Sequence, residues 1–421
     1  MFDPRRLQVL GLVLASMTIT LAAPAGAAVK VMFVTSASGS GDLNSWPQAD
    51  GLSGLAAGDR ICQNLASDAG LAHSADFRAW LSTGSTDAFC HIVGSSGKKS
   101  ANCGQATLPN AGPWVRTDGK PFSHRLQRFI STDVVLYIPS VNEQGDLVAD
   151  SLVHTGTLSD GTGAPSGYKC NGWSDGSSSV HQVVGHSGSG AIAWTDEVSV
   201  DCDASARLLC FESGVGDDLP PFGAPGYDVF ITSAAGPGDM AAWAEAGGLG
   251  GLAGADQICR TEATAAGFPN PQSFVAWLSS SSTDAIDRLT TSGPWRRPGG
   301  VEIAPDEATL TSTAGLDPLL ESDIEVDNQG VHQSSLVYTG TLESGHASGS
   351  DCADWTSGDP GQSATFGFGV VATSQWTHGI DGTCDRLSHL YCFSNVLSNV
   401  VTLFADGFEG DDLAAWSASV L

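Results

Sequence analysis

Lysine is nearly absent from this chain of 421 residues, and its 18 basic residues face 46 acidic ones, which gives a formal net charge of −28. The second half of the chain contains no lysine and only five arginines: Arg260, Arg288, Arg296, Arg297 and Arg386. A surface this acidic repels nucleic-acid phosphates, heparin-like polyanions and anionic lipid. We therefore expect no binding to nucleic acids or to heparin-like polyanions, and we interpret the charge as a source of solubility.

The chain also lacks the short motifs of metal and catalytic sites. No CxxC, HExxH or Cys/His spacing of a zinc site occurs. The run Gly185-His186-Ser187-Gly188-Ser189 resembles a nucleophile elbow but has no glycine at its fifth place. His181 and His186, near His154, have no third ligand at a spacing that suits zinc. We therefore expect no metal, no cofactor and no enzymatic activity.

A long apolar run occurs at the N-terminus and nowhere else. Arg5 and Arg6 precede an apolar stretch from Leu7 to Ala23, and Ala25-Gly26-Ala27 follows as a small-residue cleavage pattern. This pattern predicts a signal peptide over 1–28. The mature protein is then expected to be secreted or held at the cell surface, without a membrane span.

An internal repeat organises the rest of the chain. The run Ala79-Trp80-Leu81-Ser82 recurs 197 residues later as Ala276-Trp277-Leu278-Ser279. Further on the offset falls to 181 or 182, where Cys and Trp residues stay in register: Cys170, Trp173, Trp194, Cys202 and Cys210 recur as Cys352, Trp355, Trp376, Cys384 and Cys392. The first repeat therefore holds about 16 additional residues, which include Cys90 and Cys103. Tryptophans that recur in both copies are expected to be core anchors rather than ligand platforms.

The repeats predict two domains, over 29–213 and 227–395. The linker between them, over 214–226, has the proline and glycine content of an exposed, semi-rigid segment. A tail over 396–421 follows the second repeat. A sorting or surface-retention role for this tail is a hypothesis, and an unstructured end is the alternative.

Each repeat shows the pattern of an α+β unit. Short β-branched and aromatic runs predict opening strands over 31–35 and 229–232. Apolar spacing predicts helices over 59–69 and 256–266. Later strands are predicted over 77–82, 151–158 and 207–211 in the first repeat, and over 274–279, 335–342 and 389–393 in the second. The remaining interior is rich in Gly, Ser and Thr, so the unit is loop-rich.

Ten cysteines in an exported chain predict disulfides. Both repeats place them in the order helix, loop, loop and closing strand. Four cysteines allow three pairings, and spacing alone does not choose among them.

The two repeats resemble the endostatin module of collagens and a group of bacterial exported domains that share its fold, a branch of the C-type lectin fold. The resemblance rests on Gly54-Leu55-Ala56-Ala57-Gly58-Asp59-Arg60-Ile61-Cys62, its counterpart over 251–259, and the later Cys and Trp positions. It implies two tandem, disulfide-stapled C-type lectin-like (endostatin-like) domains. The implied pairing is nested: Cys62–Cys210, Cys170–Cys202, Cys259–Cys392 and Cys352–Cys384, with Cys90–Cys103 as a separate staple.

Several properties of that fold are not expected here. The Glu-Pro-Asn or Gln-Pro-Asp and Trp-Asn-Asp motifs of Ca²⁺-dependent sugar binding are missing. The arginine cluster and the N-terminal histidines of the collagen modules are missing as well. We therefore predict a non-enzymatic binding or adhesion protein for an unknown extracellular protein or glycan. The alternatives are a structural envelope protein without a specific ligand and a hydrolase of envelope polymers.

The implied pairing generates a first prediction. Peptide mass mapping of the non-reduced protein should link Cys62 to Cys210 and Cys259 to Cys392, because each early helix would be tied to its closing strand. A linkage of Cys62 or Cys259 to any other cysteine contradicts the predicted fold.

Overall fold

The computed structural model describes residues 29–398, apart from residues 133, 220, 221, 224 and 312–319. Within these ranges the chain forms two sheets of eight strands, one in each repeat, with short helices and long loops around them. The described chain therefore contains two mixed units of helices and strands, consistent with two tandem α+β domains. The predicted signal peptide and most of the predicted tail lie outside the described residues. None of the described helices has the length and apolar composition needed to cross a membrane.

The first repeat contains eight strands and four helices. The strands are β1 Lys30–Val34, β2 Phe77–Ala79, β3 Trp114–Arg116, β4 Pro121–Ser123, β5 Leu152–His154, β6 His181–His186, β7 Val198–Asp201 and β8 Arg207–Glu212. The helices are α1 Gly54–Asp68, α2 Ala88–Ile92, α3 Leu126–Thr132 and the single turn α4 Cys170–Trp173.

The second repeat has the same eight strands and, among its described residues, three helices. Its strands are β9 Tyr227–Ile231, β10 Phe274–Ala276, β11 Trp295–Arg296, β12 Glu302–Ala304, β13 Leu336–Tyr338, β14 Ser363–Phe368, β15 Ile380–Thr383 and β16 His389–Ser394. Its helices are α5 Gly251–Ala265, α6 Glu307–Leu310 and α7 Cys352–Trp355.

The closing strand lies inside each sheet. In the first sheet the order is β4-β3-β1-β8-β5-β6-β7, and β2 also pairs with β8. β8 runs antiparallel to β1, with Phe33 opposite Cys210, and parallel to β5, with Val153 opposite Arg207. The second sheet repeats this order as β12-β11-β9-β16-β13-β14-β15, with β10 beside β16. The first and last strands of each repeat are therefore neighbours.

Both long helices begin five residues before the ranges predicted from apolar spacing. α1 begins at Gly54 instead of Asp59, and α5 begins at Gly251 instead of Asp256. Both glycines have a φ of +61°, a left-handed conformation that glycine adopts without strain. Each first turn contains only glycine, alanine and a single leucine, which add little to the apolar pattern, so the periodicity alone locates the helices too late.

An aspartate ties each long helix to its neighbouring strand. Asp59 Oδ1 of α1 accepts hydrogen bonds from Ala79 N–H at 3.0 Å and from His91 Nε2 at 2.8 Å. Its counterpart Asp256 accepts a hydrogen bond from Ala276 N–H at 3.0 Å. The helix and the short strand β2 or β10 therefore hold the same relative position in both repeats.

The two repeats pack against each other through equivalent segments. Residues 188–190 and 370–372 occupy the same place in the two repeats and pair antiparallel, with Ser189 opposite Val371. Two hydrogen bonds flank this pair. Gly190 N–H donates to Val370 O at 3.1 Å, and Ala372 N–H donates to Gly188 O at 3.0 Å. Exchanging the repeats reproduces these contacts, so the interface has approximate twofold symmetry, as in an isologous dimer.

Arg297 lies buried at this interface and binds both repeats. Its side chain is 1% exposed, and Nη1 donates to Asp323 Oδ1 at 2.9 Å and to Glu325 Oε1 at 3.0 Å. Its Nη2 donates to the backbone carbonyls of Val135 and Leu136 in the first repeat. Glu325 Oε1 also accepts a hydrogen bond of 3.2 Å from Val135 N–H, which closes the network across the interface.

Among the described residues, Arg297 is the guanidinium that faces the two buried acids of this network. Burial raises the pKa of Asp323, and burial together with the nearby Asp323 carboxylate raises the pKa of Glu325 well above its usual value. Arg116, the counterpart of Arg297, reaches across the interface in the opposite direction and places Nη2 3.5 Å from Glu321 Oε2.

Half of the described linker residues are exposed, and the backbone of this segment is held against the first domain. Gly112 N–H donates to Gly214 O and Gly216 N–H donates to Gly112 O, both at 3.0 Å. Leu219 is 9% exposed and packs at the interface between the repeats, in a cluster with Leu136, Tyr137 and Val301. This part of the linker therefore belongs to the packed structure.

The buried network predicts that Arg297 is essential to the stability of the interface. Replacing it with methionine leaves Asp323 and Glu325 buried without their counter-charge, and such a loss costs about 3 kcal/mol or more. Denaturant unfolding of the oxidised protein should show this loss for Arg297→Met. The exposed Arg386 serves as the control, and Arg386→Met should change stability by less than about 0.5 kcal/mol. Equal stability of the two variants contradicts the role given to Arg297.

Candidate functional site

All ten cysteines are paired in the structure. The disulfides are Cys62–Cys210, Cys90–Cys103, Cys170–Cys202, Cys259–Cys392 and Cys352–Cys384. These are the pairs that the resemblance implies. Two of them tie α1 to β8 and α5 to β16, and their role is structural because all four of these cysteines are fully buried.

The recurring tryptophans are core residues. Trp80, Trp173 and Trp194 are at most 2% exposed, and their partners Trp277, Trp355 and Trp376 are fully buried. Trp80 Nε1 donates to Thr195 Oγ1 at 2.8 Å, and Trp277 Nε1 makes the equivalent bond to Thr377 Oγ1. None of the six presents a face to a ligand.

The three histidines of the first repeat that were considered as metal ligands have separate partners. His154 is fully buried and hydrogen-bonds Gln182 Oε1 and Gly39 O. His181 pairs with Asp201 at 2.8 Å, and His186 lies 3.2 Å from Asp150 Oδ2. Within the described ranges, no group of three or more His, Cys, Asp or Glu side chains could hold a metal ion.

The elbow-like run over 185–189 lies at the interface between the repeats. Ser187, at its nucleophile position, is fully buried and its Oγ accepts a hydrogen bond of 3.0 Å from Ser151 N–H. Ser189 pairs with Val371 of the second repeat. A buried serine in this position is a packing residue, because a substrate cannot reach it.

A cavity of about 860 Å³ opens on the first domain, and we call it the basic pocket. Three segments enclose it: the linker, helix α3 and the region of the chain that contains the inserted residues. Five of the side chains that line it are apolar or aromatic: Phe89, Leu108, Pro113, Leu219 and Phe222. Five others are charged or titratable: Lys99, His124, Arg125, Arg128 and Asp218.

Helix α3 carries Arg128 on the face away from its core contacts, and Arg125 immediately precedes the helix. Leu126, Phe129 and Ile130 are at most 5% exposed, at the spacing of one helical face. Phe129 packs against Trp80, Trp114, Phe122 and Trp194, with ring centroids 5.5 to 6.4 Å apart. Burial of this face turns Arg125 and Arg128 towards the basic pocket.

The inserted loop provides Lys99 on another side of the basic pocket. The disulfide Cys90–Cys103 closes this loop onto α2. Asp87 Oδ2 accepts a hydrogen bond of 2.8 Å from Lys99 N–H, which fixes the backbone there. Lys99 Nζ lies 5.2 Å from the ring centroid of Phe89, a cation–π contact that occupies one face of that ring.

The linker forms a third side of the basic pocket. Arg125 Nη2 donates to Gly216 O at 3.1 Å and pairs with Asp218 Oδ1 at 2.9 Å. Asp218 is 79% exposed, so this ion pair lies at the rim and is screened by solvent. Leu219 and Phe222 follow it and add apolar surface.

The charge around the basic pocket is opposite to that of the whole chain. The side chains that line it include three cations, Lys99, Arg125 and Arg128, and one carboxylate, Asp218. The neighbouring cations Lys98, Arg116 and Lys120 pair with Asp87, Asp118 and Glu321. Burial, and after it the charge of Arg128, lowers the pKa of His124 to about 4. His124 is therefore neutral at pH 7, and the positive charge comes from lysine and arginine.

The second repeat does not reproduce this charge. At the offset of 181 that relates Trp114 to Trp295, Arg125 and Arg128 correspond to Asp306 and Thr309. Lys99 lies among the inserted residues of the first repeat. The basic pocket is thus a property of one domain, although both domains share the same sheet.

The sequence-based site prediction missed this pocket. The basic run over 98–128 is visible in the sequence, but the expectation was built on the net charge of the whole chain. A charge count by segment would have marked this region. The count would not have shown a cavity, because the loop, the helix and the linker meet only in the folded chain.

No protein-family model matches this chain, and a search of curated proteins gives no significant match. The basic pocket is interpreted from its own residues.

The low pKa of His124 gives a prediction for an NMR titration. Arg128→Gln should raise the pKa of His124 from about 4 towards the ordinary value of 6.5, because a nearby positive charge is removed. Arg386→Gln, far along the chain in the second domain, should leave the pKa of His124 unchanged. A wild-type pKa near 6.5, or no response to Arg128→Gln, contradicts this description of the basic pocket.

The same pKa shift has a consequence for stability. Between pH 6.5 and about 4 the unfolded chain binds a proton at His124 that the folded chain does not, so stability falls as the pH is lowered through this window. His124→Gln should remove this part of the pH dependence in denaturant unfolding. An unchanged pH profile in this variant would show that His124 is not responsible.

Proposed function

We propose that this protein is a non-enzymatic binding protein that acts outside the cytoplasm and consists of two C-type lectin-like domains of the endostatin-like branch. The basic pocket of the first domain is its ligand site, and the second domain supports it. The observation that carries this proposal is the pocket: a cavity of about 860 Å³ with cationic and apolar walls, built by a disulfide-closed insertion absent from the second repeat.

Three features support the lectin-like assignment. The first and last strands of each repeat pair antiparallel, as β1 with β8 and β9 with β16. A disulfide joins the long helix to the closing strand in each copy, and a second disulfide is nested inside it. The sequence resemblance over both repeats agrees with this arrangement.

The disulfides also support a location outside the cytoplasm. Five bridges use all ten cysteines of the chain. Such bridges form and persist in oxidising compartments. The signal-peptide pattern over 1–28 agrees with export.

The side chains of the basic pocket favour binding over catalysis. Ser131 is the hydroxyl group on its lining, and its Oγ donates to the Arg128 carbonyl at 2.8 Å instead of to a base. The carboxylate on the lining, Asp218, is exposed and paired with Arg125. Among the described residues, this lining provides cations, amides and apolar surface, which are groups that hold a ligand.

The interface between the repeats supports a single binding site on a rigid body. Residues 188–190 and 370–372 join the domains by backbone hydrogen bonds, and Arg297 is buried between them. Two independent, flexibly linked sites would raise avidity. Here one domain has the basic pocket and the other has Asp306 and Thr309 at the equivalent positions.

A matched pair of variants on α3 tests this proposal. Ser131 lines the basic pocket, whereas its exposed neighbour Thr132 does not. Ser131→Trp should obstruct the cavity and abolish binding to any ligand found on glycan, matrix-protein and small-molecule arrays, and Thr132→Trp should retain it. Each oxidised variant is compared with the wild type for thermal stability. The absence of any wild-type ligand, equal binding by both variants, or turnover of a bound compound contradicts the proposal.

A further inference from the structure

We propose that the second domain carries a separate site for a small, uncharged molecule that joins a hydrogen-bond donor to an apolar body. The site is a cavity of about 240 Å³ beside the end of helix α5, and we call it the α5 cleft. Strands β9 and β11 and the loop that contains Asn328 also line it. This site goes beyond the proposed function. Its ligand class differs from that of a basic pocket, so the two sites are not repeated copies that would raise avidity.

An asparagine provides the polar group with which a ligand can pair. Asn328 is 5% exposed and lies on the lining of the α5 cleft. Its Nδ2 donates to Glu262 O at 3.0 Å, which fixes the orientation of the amide. Its Oδ1 has no hydrogen-bond partner in the described part of the chain. A buried carbonyl oxygen without a donor is costly, so a ligand that supplies an N–H or O–H group there binds more tightly than one that does not.

The first repeat shows what the asparagine position does when it has a structural role. The counterpart of Asn328, at the same place in an equivalent loop, is Glu143. Glu143 accepts hydrogen bonds from the N–H and the hydroxyl group of Ser36. In the second repeat Glu262 of α5 binds the equivalent Ser233 instead. The oxygen of Asn328 is therefore not needed to hold that segment.

The charges on the lining of the α5 cleft cancel, which favours a neutral ligand. Arg296 Nε donates to Asp228 Oδ1 at 3.1 Å, both side chains are at most 9% exposed, and no other charged side chain of the described residues lies on the lining. A cation is repelled by Arg296, and an anion is repelled by Asp228 and by the negative end of the α5 dipole. At the same register the first sheet has Val31 beside Val115, so this pair is specific to the second domain.

The apolar surface of the α5 cleft is open to a ligand. Ala266 and Pro269 on the lining are exposed. Phe268 and Pro298 are partly exposed. One face of the Phe268 ring stacks on Phe230, with centroids 5.3 Å apart, so a ligand meets the remaining part of the ring. Because a cavity of about 150 Å³ holds benzene, a cavity of about 240 Å³ suits a ligand of about ten non-hydrogen atoms.

Four probes of one shape separate the ligand classes on the oxidised full-length chain. Benzamide, acetophenone, benzamidine and benzoate each join a benzene ring to a planar group of the same size, and they differ in charge and in N–H donors. Binding is measured by NMR shift perturbation of Gly267, Phe268 and the Asn328 side-chain amide at constant ionic strength. We expect benzamide to bind at least about fivefold more tightly than the other three, since acetophenone has no donor and the other two are charged.

A matched pair of variants at the end of α5 locates the binding. Ala266 lines the α5 cleft, whereas its exposed neighbour Ala265 does not. Ala266→Trp should obstruct the cleft and abolish benzamide binding, and Ala265→Trp should retain it. Ser131→Trp in the basic pocket should leave benzamide binding unchanged, which separates the two sites. Equal benzamide binding by Ala266→Trp and Ala265→Trp overturns the inference.

Variants of Asn328 test the role of its oxygen. Asn328→Ala should lower the affinity for benzamide to that for acetophenone and leave the acetophenone affinity unchanged. Glu262 O keeps the Ala266 N–H as a donor at 3.1 Å, so this substitution leaves no carbonyl group unpaired there. Asn328→Asp, which keeps an oxygen and adds a negative charge, should shift the preference from benzamide to benzamidine.

The wild-type protein already decides between the outcomes. Equal affinity for benzamide and acetophenone, tighter binding of benzamidine or benzoate, or no perturbation of the α5 cleft by any probe overturns the inference. A variant with altered thermal stability is set aside, and the comparison of the four probes with the wild type and with the Ala266→Trp and Ala265→Trp pair stands without it. None of these results changes the test of the basic pocket, which depends on Ser131→Trp.

Discussion

The closing strand of each repeat is the constraint on which the structure depends. β8 pairs with β1, β2 and β5, and its Cys210 is bonded to Cys62 of α1. Apart from α1, the chain before it consists mainly of long loops and of strands of three to six residues, which lose much conformational entropy on folding and bury little apolar surface individually. A bridge spanning 148 residues removes part of that entropy from the unfolded chain. The same strand brings the end of the repeat beside its beginning, so the linker leaves the domain next to Gly112 and becomes one side of the basic pocket.

Duplication has produced a symmetric interface and an asymmetric surface. The segments at 188–190 and 370–372 meet as the two halves of an isologous contact would. Arg297 then breaks this symmetry, because its two buried acidic partners, Asp323 and Glu325, both come from the second repeat. The basic pocket breaks it further, since its inserted loop and the arginines Arg125 and Arg128 occur in the first repeat. One copy thus provides a stable partner surface while the other carries the candidate site.

The sequence predicted the elements with strong local patterns and missed those without them. The long helices were located by apolar spacing, although five residues late at their first turns. The opening and closing strands were located by β-branched and aromatic runs. Strands such as β3 and β4 have three residues each, too few for alternation to be recognised, and α3 has only seven. The expectation was therefore based on the net charge of the whole chain, and the basic pocket was not predicted.

The sequence by itself determined the duplication, the α+β character and the positions at which cysteine and tryptophan recur, because these are properties of residues at fixed offsets along the chain. The implied cysteine pairs came from a resemblance, and the structure contains the same pairs. Only the tertiary structure decided that the described linker packs on the first domain, that Arg297 is buried between the repeats, and that Lys99, Arg125 and Arg128 surround one cavity. Each of these facts depends on contacts between segments far apart in sequence, whose meeting is set by packing and loop closure rather than by local propensity.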